Sequence, residues 1–326
     1  MKAAFLHYGK LLLSSFILFI AVITVLFFLL EIAPGDPVQA LLGDSPVSDE
    51  FRAQIVASFG LDKSVWERYF IYLGNTLTGN LGLSFGSSMT VAELIMSRIG
   101  NTLALALPAF VISTAGGIFL GAIAARTRSK ALDGAISGTS VAFFSLPNFW
   151  LGLILIMIFS IWLGWLPTQG KSPYGQDGIA LQYLILPVIT MATTELAYKA
   201  RIMRSSMIEA LGQDFIDTAR SKGLSRDRVM WRHALPNALL PMITVSGYSL
   251  GFALAGSVVV ERVFGWPGMG LLLYDAVQRS NNQVVLGVVI VITISILIIN
   301  FLTDVVYGLV DPRVRAKFAR SSRSAS

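Results

Sequence analysis

Residues Leu11 to Leu30 run without a single charge, fenced by Lys10 and Glu31. A bilayer core about 30 Å thick is crossed by roughly 20 apolar residues in a helix, so the run is long enough to span one. A secretory signal carries an apolar stretch of about 7–15 residues followed by a small-residue cleavage site. This run is longer, and Glu31-Ile-Ala-Pro-Gly-Asp36 is a poor cleavage region. A retained anchor is expected. Five more runs follow: Leu103–Ala125, Ala135–Leu166, Tyr183–Met203, Ala238–Val260 and Val284–Val306. The backbone has no water to bond with in hydrocarbon, so continuous runs of this kind imply helices rather than a barrel. The chain reads as an all-α integral membrane protein with six transmembrane helices. Ala135–Leu166 is too long for one straight crossing, and Pro147 within it should kink or break the helix.

Composition closes off most alternatives. Of the 326 residues 54% are apolar and 13% charged, about half the charged fraction of a soluble domain. One globular core cannot hide so much apolar surface. The absence of cysteine excludes a disulfide framework, a thiolate nucleophile and Cys-ligated metal. His7 and His233 are too few and too far apart for a metal site. No convergent catalytic set is visible, so a non-catalytic membrane chain is expected, with no cofactor or metal of its own.

The net charge of +6 is explained by topology. With both termini on one side, that side gathers Lys2, Lys10, Arg126, Arg128 and Lys130. It also gathers the basic residues from Lys199 to Arg232 and those of the tail from Arg313 to Arg323. The positive-inside rule puts this side in the cytoplasm. Membrane lipid is then a sufficient partner for the charge, and nucleic acid is not required.

The chain divides into a stub and first span (1–30), an external segment (31–101), a five-helix unit (102–310) and a basic tail (311–326). In the external segment Ser48 opens a short helix closed by Gly60, and a second begins near Asp62 with Val65, Tyr69, Tyr72 and Leu73 before Gly74. Their aromatic residues suit the outer interface. In the cytoplasmic segment 209–236, Asp214 is placed to cap a helix carrying Leu211, Phe215, Ile216 and Ala219 on one face. Gly223 suits a left-handed C′ position, and Ser225 caps a second helix that Pro236 ends as it starts the next span. The apolar stripe either fills a groove in a partner or rests on anionic headgroups.

The string Asp217-Thr-Ala219, three residues, Gly223, nine residues, then His233-Ala-Leu235-Pro236 resembles the EAA loop of ABC importer permeases. Spacing is kept, while Asp stands for Glu, Thr for the first Ala and His for the Ile. Ala33-Pro-Gly-Asp-Pro37, Gly60-Leu-Asp-Lys63, Asn101-Thr-Leu103, Asp214 to Leu224, Glu261 to Gly270 and Asp311-Pro-Arg-Val-Arg315 are similar to the dipeptide/oligopeptide/nickel branch of that family. Ser280-Asn-Asn-Gln283 departs from the Arg-Asp-x-Pro-like string its members often carry.

The resemblance implies a type I importer permease with a MetI-like core and an extra N-terminal span, in a bacterial inner membrane. It implies a second homologous permease subunit, as a heterodimer, and two ATPase subunits or domains that use ATP and Mg. An external substrate-binding protein would deliver peptides or similar solutes. By the same resemblance Phe215, Asp217, Thr218, Ala219, Gly223, Leu224, His233, Leu235 and Pro236 would couple to the ATPase. The chain has no Gly-x4-Gly-Lys-Ser/Thr phosphate loop of its own.

Within the spans, Pro147, Asn148, Glu195, Ser246 and Tyr248 are the candidates for a translocation path, since irregular backbone and polar groups at membrane depth are tolerated only in protein or beside water. Glu195 with Lys199 one turn on also reads as a structural ion pair. Gly117-x3-Gly121 and Gly247-x3-Gly251 permit close helix approach, most simply within the chain. The alternative is a secondary transporter or channel without an ATPase partner. A secondary transporter is expected to show interrupted helices at matched positions and several intramembrane acids, whereas this chain has one Pro-broken span and essentially one midspan acid.

Overall fold

The computed structural model describes residues 2–32, 62–84, 89–127 and 129–310, with scattered positions between 48 and 56. It is helical throughout: α1 (Lys2–Ile32), α2 (Val65–Leu77), α3 (Val91–Arg126), α4 (Lys130–Ser145), α5 (Asn148–Leu155), α6 (Leu181–Leu211), α7 (Asp214–Ser221), α8 (Arg226–Val229), α9 (Leu235–Val263), α10 (Met269–Gln278) and α11 (Asn282–Val310). Five of the six apolar runs lie wholly in helix, and Ala135–Leu166 is helical except at 146–147 and after Trp162. Among the described residues α1, α3 and α11 are long and apolar enough to cross a membrane, and α4 with α5 makes a fourth crossing if the pair is one span. Helices α6 and α9 match them in length, at 31 and 29 residues.

The break expected at Pro147 is present and sharp. The chain turns by 101° between α4 and the stretch that starts at Asn148, and Pro147 is the N-cap of α5 with an extended backbone. Its fixed φ suits a helix start, and its missing N–H costs nothing there. Beyond α5 the helix widens to a π form over Ile156–Trp162.

Two local signals set helix starts. Ser64 Oγ accepts from Glu67 N at 3.3 Å while the Glu67 carboxylate accepts from Ser64 N at 3.0 Å. Thr90 and Glu93 repeat the arrangement at 3.2 and 2.8 Å. These capping boxes satisfy donors that the first turn leaves free. The first starts α2 at Val65 rather than near Asp62. The second starts α3 at Val91, well before the apolar run at Leu103. Helix α2 lies on the end of α1 through Phe27, Phe28, Trp66, Tyr69 and Tyr72, with Arg68 paired to Glu31 at 2.7 Å. Most of the helix expected from Ser48 to Gly60 lies outside the described residues.

The bundle is built on two glycine-mediated contacts. Helices α3 and α6 run parallel, and side chains at Gly117 and Gly121 would collide with Lys199, Ala200 and Met203. Helices α9 and α11 run antiparallel, with Gly247 against Thr303 and Gly251 against Ile296. Both small-residue motifs therefore serve packing within the chain, where lipid offers no hydrophobic drive and close approach must hold helices together.

Two sequence expectations need correction. The first helix of the 209–236 segment is capped by Gln213, not Asp214, and Gln213 makes no side-chain cap bond; Asp214 is the first helical residue. Pro236 does stand at the start of the next span, but it does not end the second helix. The chain passes from α8 through a π-turn, Met230–Ala234, directly into α9. There Leu235 N–H bonds back to Met230 O, five residues away. The widened turn accommodates a proline that a regular α-turn would reject. Helix α10 was not expected at all.

Candidate functional sites: the 211–236 hairpin and a crevice between helices

Helix α7 is amphipathic, but its apolar stripe is divided. Ile216 and Ala219 are buried at 0% and 5% exposure, in a cluster with Met203 and Met207 of α6, Val229, Met230, Ala234 and Met242. Leu211, Leu224 and Leu235 pack on its edge. Phe215 turns the other way and is 40% exposed. The stripe thus fixes the hairpin to its own helices and leaves one aromatic outside.

Gly223 closes α7 at φ +76°, the left-handed conformation that glycine adopts without penalty. Its N–H donates to Arg220 O at 2.9 Å, and Leu224 N–H to Ala219 O at 3.4 Å. Ser225 Oγ then accepts from Arg228 N at 3.5 Å, as expected of the next cap. Asp217 and Thr218 are exposed; Asp217 pairs with Arg220 at 3.1 Å, and Thr218 Oγ1 donates to Asp214 O at 3.1 Å. His233 is half-buried, and its carbonyl accepts from Asn237 Nδ2 at 2.8 Å. Pro236 is exposed on the first turn of α9. Arg126 at the end of α3 pairs with Asp227 of α8 at 2.6 Å, and Arg204 of α6 grips Asp133 of α4 through two bonds of 2.6 and 2.7 Å. A knob, with Phe215, Asp217 and Thr218 outward, stands on α3, α6 and α9.

The second site lies inside the bundle. Ala109, Phe110 and Ser113 of α3, Asn148 of α5, Met191 and Glu195 of α6, and Ser249, Phe252 and Ala253 of α9 line a crevice of about 30 Å³. Lys199 is fully buried behind it and donates to Ser113 Oγ at 2.8 Å and Thr114 Oγ1 at 3.1 Å, with its ammonium 5.0 Å from the Phe110 ring centre. Its distance to Glu195 Oε2 is 3.8 Å, beyond a hydrogen bond. Thr194 Oγ1 donates to Asn148 Oδ1 at 2.6 Å, so the first residue of α5 is tied to α6.

Of the path candidates, Asn148 and Glu195 meet in this crevice, with Pro147 at its edge as the cap of α5. Tyr248 is 68% exposed and stacks on Phe252 with 6.2 Å between ring centres, beside the opening. Ser246 is not a lining residue; Ser249, one turn on, is. Ser113, Thr114 and Ser249 went unnoticed in the sequence. The signal for the first two was the Glu195–Lys199 pair itself, because a buried ammonium needs oxygen acceptors from a neighbouring helix.

At the other end of α9, Glu261 is fully buried. Its carboxylate accepts from Thr102 Oγ1 at 2.8 Å and from Leu271 N at 2.9 Å, so it caps the first turn of α10. Trp266 is buried with Nε1 donating to Asn101 O at 2.9 Å, and Asn101 Nδ2 donates to Pro267 O at 2.8 Å. The Glu261–Gly270 string and Asn101-Thr102 are therefore one structural unit. Gly268 is glycine because a side chain there would strike the Glu261 carboxylate.

Comparison with known proteins agrees with this arrangement. Residues 117–316 match the family model of the binding-protein-dependent transport system inner membrane component, and residues 5–106 match the model of the N-terminal part of such membrane components. The chain is 38% identical over 323 residues to the dipeptide transport system permease protein DppB of Escherichia coli K12, covering 92% of this chain and 95% of that one. It is 38% identical over 297 residues to the oligopeptide transport system permease protein AppB of Bacillus subtilis, covering 90% and 94%. In fold it is similar to a chain of the MetNI methionine ABC transporter, solved in inward-facing conformations, with TM-score 0.57, 19% identity and coverage of 67% of this chain and 96% of that one. An amino acid ABC transporter crystallised with histidines gives TM-score 0.53 at 20% identity, covering 66% and 94%. By these matches the chain belongs to the family of inner membrane components of binding-protein-dependent transport systems, and it is a permease subunit of an ABC importer.

Proposed function

We propose that this permease forms half of a translocation path for peptides or similar small solutes, beside a second, related permease chain. Two cytoplasmic ATPase subunits hydrolyse MgATP, and an external binding protein delivers the solute. Both termini and the 211–236 hairpin face the cytoplasm, where Phe215, Asp217 and Thr218 seat in a groove of an ATPase. The observation that carries this reading is the division of α7: Ile216 and Ala219 lock the knob to α6 and α9 while Phe215 stands free. A push on the knob is therefore passed to the spans rather than absorbed in a loop. Peptide as cargo rests on the named activities of the relatives, of which DppB and AppB are peptide permeases.

The test is purification of the tagged chain in mild detergent from its native cells. An ATPase and a second permease are expected to come with it, and Phe215→Asp is expected to lose the ATPase while keeping the second permease. Recovery of the chain alone, with no nucleotide hydrolysis, would overturn the proposal. Orientation is checked on a chain that has no native cysteine: Tyr174→Cys should react with an impermeant maleimide added outside intact cells, and Lys222→Cys should not.

A further inference from the structure

The crevice described above has an unusual polar balance. Glu195 Oε2 is buried from solvent and accepts no hydrogen bond. A buried carboxylate oxygen ordinarily finds a donor, because leaving it bare costs the desolvation of the group. Its natural partner, Lys199, spends two of its three protons on Ser113 and Thr114 and stays 3.8 Å away. Lys199 is sealed behind the wall, whereas the Glu195 side chain is 30% exposed and lines the opening. The Glu195 carboxylate therefore lines the crevice with Oε2 beside the sealed lysine, which supplies charge compensation without hydrogen-bonding it.

The remaining lining defines what fits. Asn148 and Ser249 add polar groups, and Phe110, Phe252 and Met191 add apolar walls. Aromatic faces attract a cation, and a carboxylate attracts a donor. The space of about 30 Å³ is that of one or two small polar groups, enough for an ammonium and too little for an entire solute. Beside the opening, Tyr248 and Phe252 present an exposed stacked surface that can carry the rest of a molecule.

We infer that this crevice holds the primary ammonium group of a passing solute, with Glu195 as its acceptor and Phe110 and Phe252 as its walls, so that Glu195 sets a preference for cargo with a free amino group. The inference rests on the importer reading and deepens it: a free amino terminus is what a peptide offers here.

The test uses the complex purified through this chain, carrying Ala253→Cys as a reporter on the crevice wall. The rate of N-ethylmaleimide labelling of that chain is read by mass with L-alanyl-L-alanine, with N-acetyl-L-alanyl-L-alanine, or with neither. The free dipeptide is expected to slow labelling about threefold at about twice its dissociation constant, the acetylated one to leave the rate unchanged, and Glu195→Gln to remove the protection. Equal protection by both peptides, protection that survives Glu195→Gln, or no protection by either would overturn the inference. Failure of the importer reading shows separately, as absence of an ATPase from the purified material.

Discussion

Ile216→Ala tests the division of α7 most directly. Ile216 is fully buried among Met203, Met207, Val229, Met230 and Ala234, and it is held by no polar bond outside the α7 backbone. Truncating a buried isoleucine to alanine costs about 2–5 kcal/mol in lost transfer energy and residual cavity. The hairpin is a small appendage on long helices, so the cost falls on its docking rather than on the whole bundle. At 1.4 kcal/mol per factor of ten, the lower end raises the undocked population about 30-fold. Hydrogen exchange in nanodiscs should therefore show the α7 amides, those of Ala219 and Arg220 among them, exchanging about 30-fold faster, with α3 and α6 unaffected. Phe215→Ala, one residue away, removes a side chain already 40% exposed and should leave α7 exchange nearly unchanged. Unaltered exchange in Ile216→Ala, or equal acceleration in Phe215→Ala, would refute the inward and outward assignment.

Gly223→Val places a β-branched residue at φ +76°, where the left-handed conformation costs about 1–2 kcal/mol or more; the ratio of solute taken up to ATP hydrolysed should fall in reconstituted vesicles while the complex stays assembled. Gly121→Leu drives a side chain into Ala200 and Met203, so the α3–α6 contact should be lost and the protein should run as aggregate on size exclusion. Gly100→Ala, on the same helix with nothing near it, should run as the wild type does.

Which parts were legible in the sequence follows from how local their causes are. Helices α1 and α11 announce themselves because their length and apolar character are set residue by residue. The break at Pro147 is equally local, since one ring dictates it. The starts of α2 and α3 were also written locally, as Ser64-x-x-Glu67 and Thr90-x-x-Glu93, but the apolar runs drew the boundaries instead. Helix α10 was out of reach: it is ten residues long, its N-cap is a glycine, and the carboxylate that satisfies its first turn comes from Glu261 on another helix. The stripe on α7 was visible as a stripe, yet periodicity alone cannot say which of its members face the chain's own core. Pro236 misled because the rule against proline assumes a bond four residues back, and here the turn before it reaches back five.

In a bilayer apolar surface gains nothing by leaving lipid for protein, so close packing and buried polar bonds must hold the helices. Those bonds concentrate on α3. Thr102 joins it to Glu261 of α9, and Ser113 and Thr114 join it to Lys199 of α6, while Gly117 and Gly121 bring it against α6 along the same face; the Arg126 pair with α8 is exposed. Three walls of the crevice, from α3, α6 and α9, are thus clasped to one another at fully buried groups. The fourth is α5. Its polar tie to the others is the partly buried bond between Asn148 and Thr194, and it begins at a proline after a 101° turn. Of the four walls, α5 is the one that can shift without breaking a fully buried polar bond among the described residues. It also carries Asn148, which lines the crevice with Glu195, so a shift of this least constrained wall would change the crevice's lining.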